Sequence, residues 1–411
     1  MLFQRREEVI SRSELDLTVA SFPAQTKRAP LPRSTGPIEK IKVIVNFTLG
    51  VAITSGAFIT GGFLNLLKRA TLNINDGSGA YDAVSASGPS LIALHQLEGL
   101  TLDPATRAAI QVSNLNYAAS GSKFQITYTI DAAHPALQEW LRVRSCIPCQ
   151  AHVQDPVLTL DFAAATECSS VADPFSAITC EILLVRLDLP NADFEALGGR
   201  AGFIRWDLRE TLNDLPINTT SERRFAIPGP GEYASLAILM IKGANPNRYG
   251  DLSAVVTAGA ETQFRLEAAG NALKTWRMKH RYLLNSENSS MLAMALIAPV
   301  SEAVPISTAG VSNGVAWVTA KNAAGAGNFG GPLETGLNIQ NPAVVGFDFV
   351  GDNHGSVSEL GGCLNANFPS DAIKWEIVGN ILTPATYQSS FNLIGRRYRD
   401  NIEAYKRIKA A

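Results

Sequence analysis

Apolar and polar positions alternate in short runs broken by turn residues along most of this chain, and long helical stripes are scarce. Lys42-Val43-Ile44-Val45-Asn46-Phe47, Ala70–Ile74 and Lys123–Ile130 read as strands, the last alternating in part as a half-buried strand does. Runs of the same character occupy Val157–Phe162, Thr179–Val185, Ser235–Ile241, Leu252–Thr257, Met291–Ile297, Gly314–Thr319, Val344–Phe349 and Ile373–Ile381. Asp76-Gly77 and Pro228-Gly229-Pro230-Gly231 supply turn chemistry between them. Helical pattern is confined to Ser90–Leu97, Gly270–His280 and Ser389–Lys409, with one or two helical turns expected within 4–19. Val43–Leu67 is uncharged and long enough for a membrane helix, but its glycines and β-branched residues predict strand, turn, strand.

The same succession occurs twice. Lys68–Gly77 is a strand ending in a turn, and the short apolar helix Ser90–Leu97 follows. Asp251–Gly259 ends a strand the same way, and Asn271–Met278 is expected as the matching helix. A β-rich stretch precedes each unit, Lys42–Ile53 in one and Ala234–Ile241 in the other. Each half closes on a similar strand, Ala177–Leu183 and Ala372–Val378. A repeat of about 180 residues marks a duplicated domain and no solenoid. Turn-separated strands without helix alternation exclude a parallel α/β fold. The expectation is all-β: two tandem eight-stranded antiparallel jelly rolls, at 41–215 and 222–390. An N-terminal arm at 1–40, extended by Pro23, Pro30, Pro32 and Pro37, precedes them, and a C-terminal basic amphipathic helix at 391–411 follows.

Composition narrows the function. The chain has 411 residues, 46% of them apolar, enough for a sizeable core. Only 18% are charged, which suggests that much of the outer surface is hidden in contacts. A net charge of −2 argues against a basic nucleic-acid-binding body. The first residues lack the apolar core of a secretion signal, and five cysteines make no disulfide framework, so synthesis in a reducing cytoplasm is expected.

Catalytic chemistry is hard to assemble. Cys146-Ile147-Pro148-Cys149 is a close pair, but Cys168 and Cys180 are too far apart to complete a zinc ribbon. Buried structural thiols are the expected reading, metal binding and redox chemistry the alternatives. His95, His134, His152, His280 and His354 show no metal-pair spacing. Asp352-Asn353-His354-Gly355 offers a base and a carboxylate without a nucleophile, and turn chemistry explains it. Gly325–Gly331 lacks the Lys-Ser/Thr of a phosphate loop, and no cofactor is expected. The C-terminal stretch is more specific. Ile394, Tyr398, Ile402, Tyr405 and Ile408 would share one helical face, with Arg396, Arg397, Arg399, Lys406, Arg407 and Lys409 around it. Those six basic residues are candidate membrane or subunit contacts; a helix packed on its own sandwich is the alternative.

One stretch carries a resemblance. Arg223–Met240 reads as a short strand, the Pro228–Gly231 turn, then a long apolar strand opening the second roll. With the layout of 41–390 it resembles the double jelly-roll major capsid proteins of tailless icosahedral viruses and bacteriophages, many with an internal membrane. That resemblance implies a structural subunit of a viral shell, with no enzymatic activity. It implies homotrimeric pseudo-hexameric capsomers, contacts with minor capsid and vertex proteins, and termini facing an internal lipid membrane or neighbouring subunits. No specific nucleic acid is implied, and the location would be the virion. The alternative is a two-sandwich glycan-acting enzyme or a carbohydrate-binding module, which would show clustered carboxylates and aromatics at one cleft.

Overall fold

The structure is a computed structural model of the chain. It describes residues 4–10, 15–33, 36–53, 62–75, 79–100, 102–106, 109, 119–137, 139–171, 173–215, 223–227, 229–240, 263–268, 271–277, 291–294, 303–305, 315–317, 344–350, 363–366, 375–380 and 389–399. The first half carries β1 (Arg5–Val9), β2 (Gln25–Pro30), β3 (Ile38–Leu49), β4 (Leu67–Asn75), β5 (Ala80–Ala86), β6 (Lys123–Asp131), β7 (Val157–Phe162), β8 (Phe175–Leu187) and β9 (Trp206–Leu215). The second carries β10 (Arg223–Ala226), β11 (Glu232–Met240), β12 (Gln263–Ala268), β13 (Asn271–Arg277), β14 (Met291–Met294), β15 (Ala303–Pro305), β16 (Val315–Trp317), β17 (Val344–Asp348), β18 (Leu364–Asn365), β19 (Trp375–Asn380) and β20 (Ser389–Tyr398). One ten-residue helix, α1 (Gly88–Leu97), lies between β5 and β6.

Two four-stranded sheets, β1-β8-β3-β6 and β10-β19-β12-β13, flank a large sheet that runs β14-β17-β11-β20-β9-β5-β4-β7-β2. All pairings are antiparallel except β5 with β9. The duplication is visible in this connectivity. β1-β8-β3 is repeated as β10-β19-β12, β2-β7-β4 as β11-β17-β14, and the closing strands β9 and β20 pair with each other. Ala177–Leu183 and Ala372–Val378 were matched from the sequence, and their described residues do lie in equivalent strands, β8 and β19. The pairing of Lys42–Ile53 with Ala234–Ile241 fails: β3 lies in a four-stranded sheet, while β11 lies in the large one.

Alternation positions the core. In β3 and β7 every second residue is buried, the pattern of strands with one face on the interior. Phe22, Phe47, Phe63, Phe124 and Phe175 fill the middle of the first sandwich, with neighbouring ring centroids 4.7 Å (Phe47–Phe63) to 5.5 Å (Phe63–Phe124) apart. Helix α1 starts at Ser87, whose hydroxyl accepts the Ser90 N–H, and has Pro89 in its first turn. Its Gly88 touches the core so closely that a Cβ there would meet Tyr128 Cε1 at 2.4 Å.

Three expected elements differ. Asn271–Met278 is not a helix: Asn271–Arg277 is β13, paired with β12 from Gln263↔Arg277 to Ala268↔Asn271. A short apolar run reads equally as helix or strand, and here a ready partner ladder decides. The arm is not free. Residues 5–9 pair with β8 and 25–30 with β7, so both segments are strands of the subunit's own sheets and not helical turns or an outward reach. The C-terminal stretch 389–398 is the strand β20, not an amphipathic helix. The Val43–Leu67 run carries β3 as far as Leu49 and ends in a 3-10 turn at Gly62–Leu66; residues 54–61, where its second strand was expected, lie outside the described residues. No helix among the described residues is long and apolar enough to cross a membrane. Leu252–Gly259, Gly325–Gly331 and Asp352–Gly355 also fall outside them.

Candidate functional site at the junction of the two halves

Strand β20 joins the two rolls. It pairs over ten residues with β9, the last strand of the first half, and over eight with β11 of the second. Its interior position explains its sequence. At Gly395 a Cβ would meet Leu236 Cδ2 at 2.8 Å and Tyr233 Cε1 at 3.0 Å, so glycine permits the close approach of β11.

Two arginines of this strand point into the junction. Arg396 is 2% exposed; its Nε and Nη2 donate to Glu98 at 2.6 and 2.9 Å, and its Nη1 donates to the Asp131 carbonyl at 2.6 Å. Glu98 closes α1 and also accepts the Ser235 hydroxyl at 2.6 Å. The cluster thus ties helix α1 and strands β6, β11 and β20 together. Burial opposes the guanidinium charge, but the adjoining Glu98 carboxylate outweighs it and holds the Arg396 pKa above its ordinary value. Arg397 donates from Nε to Asp207 Oδ1 at 2.9 Å, and its Nη2 contacts Asp207 Oδ2. Its Nη1 donates to the Pro230 carbonyl at 3.1 Å, in the bend just before β11.

Acid–histidine contacts surround these pairs. Asp131 lies 2.8 Å from Lys40 Nζ, and its Oδ2 is 3.3 Å from His95 Nδ1. Burial alone would raise the Asp131 pKa; the adjoining His95 imidazole and the Lys40 charge outweigh it and bring it to about 2. His134 is fully buried, with Nδ1 accepting the Ala136 N–H at 3.1 Å and Nε2 3.0 Å from Asp348 Oδ1 of β17, an ion-pair distance outside hydrogen-bond geometry. The Tyr398 hydroxyl accepts the His134 backbone N–H at 3.3 Å, and burial pushes the phenol pKa up. A second polar cluster caps α1: Glu210 accepts the Ser87 hydroxyl at 3.1 Å and contacts Ser87 N and Asn392 Nδ2. Burial raises the Glu210 carboxyl, with the Ser87 hydrogen bonds opposing.

The six basic candidates therefore divide. Arg396 and Arg397 are not available to a membrane or a neighbour, because both are spent inside the subunit. Arg399 is part exposed, 3.7 Å from Asp207 and 5.1 Å from the Tyr81 ring centroid. Lys406, Arg407 and Lys409 lie outside the described residues. Sequence reasoning missed Glu98, Asp207 and Asp131 as their partners. Gly395 was the available signal, since glycine inside a supposed helix is disfavoured. Cys146, Cys149, Cys168 and Cys180 are all buried. Burial raises each thiol pKa, Cys149 to about 11 and Cys180 to about 12. Cys180 sits in the core as a mid-strand position predicts.

Two antiparallel sandwiches fused through one shared sheet, with matching connectivity in each half, define a double jelly roll. That is the fold of major capsid proteins of tailless icosahedral viruses. The STIV MCP is similar over 99% of this chain and 100% of its own, with a TM-score of 0.58 and 14% identity. A chain of the atomic structure of Sulfolobus Turreted Icosahedral Virus is similar over 99% of this chain and 94% of its own, with a TM-score of 0.56 and 14% identity. PBCV-1 VP54, fitted into a reconstruction of the virophage Sputnik, is similar over 97% and 94%, with a TM-score of 0.54 and 11% identity. The amino-acid sequence matches no protein-family model and no curated protein.

Proposed function

We propose that this chain is a structural subunit of an icosahedral viral shell, located in the virion and without enzymatic activity. The observation that carries the reading is the end-to-end likeness to capsid subunits, which spans both rolls and 99% of the chain. The junction supports it. Its buried charges are spent on holding two rolls in one orientation, which a repeating shell needs. The unit is proposed as two rolls, 41–215 and 222–390, the first completed by β1 and β2 and the second by β20. Three copies form a capsomer of pseudo-sixfold outline. Further contacts run to minor capsid and vertex proteins. The termini face an inner lipid layer or neighbouring subunits, with Arg399, Lys406, Arg407 and Lys409 as the remaining basic contacts. No specific nucleic acid is bound. Sedimentation of the purified chain tests this: a trimer, and shells on concentration, support it, while a monomer at every concentration overturns it.

A further inference from the structure

Shortly after β6 the chain turns at His134-Pro135-Ala136-Leu137, where the Leu137 N–H donates to the His134 carbonyl at 3.1 Å. The turn belongs to the first half, but His134 reaches the second. Its backbone N–H donates to the Tyr398 hydroxyl of β20, and its fully buried ring lies against Asp348 of β17.

The two ring nitrogens are used unequally. Nδ1 accepts the Ala136 N–H at 3.1 Å, so its lone pair is committed, the ring is neutral and its one proton sits on Nε2. Nε2 is 3.0 Å from Asp348 Oδ1, yet the two make no hydrogen bond. The turn bond thus holds the ring close to the carboxylate and misaligned with it. A second proton can enter only at Nδ1. There it meets the Ala136 N–H donor against donor, so the turn bond must break. Breaking it frees the ring to rotate and align Nε2–H on Asp348.

Charge decides between the two contacts. The turn loses one neutral hydrogen bond, while the site gains an imidazolium beside a carboxylate that is 8% exposed and weakly screened. Burial opposes a charged ring, and the adjoining carboxylate favours it. The remaining charged and titratable groups around the turn are spent elsewhere. Arg396 of β20 and Glu98 of α1 hold each other, and Asp131 of β6 is held by Lys40 and His95. Burial pushes up both the Tyr398 phenol and the Cys363 thiol, which lies near Tyr398 and Asp348, so neither carries charge.

We propose that His134 is a proton-operated latch between the rolls. Neutral, it closes its own turn on Ala136; protonated in mild acid, it releases Ala136 and grips Asp348. The rolls are then held more tightly just below the ordinary imidazole range than above it. The latch is a property of the single subunit and does not rest on the shell reading.

Amide hydrogen exchange of the full chain tests it at about pH 7.5 and about pH 5.5, on either side of the imidazole range and above that of carboxylates. Rates are corrected for the intrinsic effect of pH. On acidification, exchange at Ala136 accelerates, and exchange through Val344–Asp348 slows about tenfold, the effect of one charge-assisted hydrogen bond. His134→Asn keeps an acceptor for the Ala136 N–H and cannot titrate, so both changes vanish. Should that variant not fold, Asp348→Asn serves: Ala136 still responds, and β17 gains nothing. His95→Gln removes the neighbouring histidine and leaves both changes intact. A β17 indifferent to pH in the unaltered chain, a β17 response that survives His134→Asn or Asp348→Asn, or one lost in His95→Gln overturns the inference.

Discussion

Replacing Glu98 by Gln keeps the side-chain volume and removes the charge that holds Arg396. Both side chains are at most 2% exposed, so water cannot take the place of the lost carboxylate. The guanidinium would keep the Asp131 carbonyl as an acceptor, and the Ser235 hydroxyl would keep an amide oxygen. Breaking a buried pair on one side costs about 3–5 kcal/mol, because the remaining charge is left uncompensated. Glu98→Gln should fall near the lower end, since those neutral acceptors survive. Removing the pair altogether, as Glu98→Gln with Arg396→Met, should cost less than Glu98→Gln alone, because no buried charge then remains. A chain of this size need not unfold in one step, so the readout is local. Amide hydrogen exchange of β11 and β20 should accelerate in the single variant and recover in part in the double. Protection unchanged in Glu98→Gln, or effects of the two substitutions that simply add, would refute the claim that this pair locks the rolls together.

Three further outcomes follow from named contacts. Asp131 has its pKa lowered from 3.8 to about 2, so its carboxylate contributes stability above the ordinary value and loses it as pH falls through about 2. The contribution is about 2 kcal/mol, and an acid titration of Asp131→Asn should lack that component between about pH 4 and 2. Glu8→Ala should destabilise the subunit itself by about 1–3 kcal/mol, seen as a lower unfolding temperature, because the fully buried Arg186 loses that carboxylate and is left with neutral acceptors such as the Gly36 and Pro32 carbonyls. Gly88→Ala should cost about 1–3 kcal/mol in the same assay, since its Cβ would overlap Tyr128 and the Leu67 carbonyl.

The all-β class, many strand positions and the closing-strand repeat were legible because alternation and turn chemistry are local signals. The roles of the ends were not. Arg5–Val9 and Ser389–Tyr398 earn their structure from distant partners, β8 for one and β9 with β11 for the other. A sequence window around Arg396 shows a basic stretch. Only the fold brings Glu98 and Asp131, some three hundred residues earlier (|i−j| = 298 and 265), beside it. The same holds for Arg186, whose burial depends on Glu8 from the strand taken for an arm. Charge read along the chain made Arg396 and Arg397 candidate outward contacts; charge read in space puts both within the subunit.

The most direct measurement is electron cryo-microscopy of the assemblies that the full chain forms. The shell reading predicts closed particles tiled by capsomers of three copies, each showing six upright jelly rolls in pseudo-sixfold outline. A map showing isolated single subunits, or an assembly in which the two rolls of a chain take no part in lateral contacts, would contradict it.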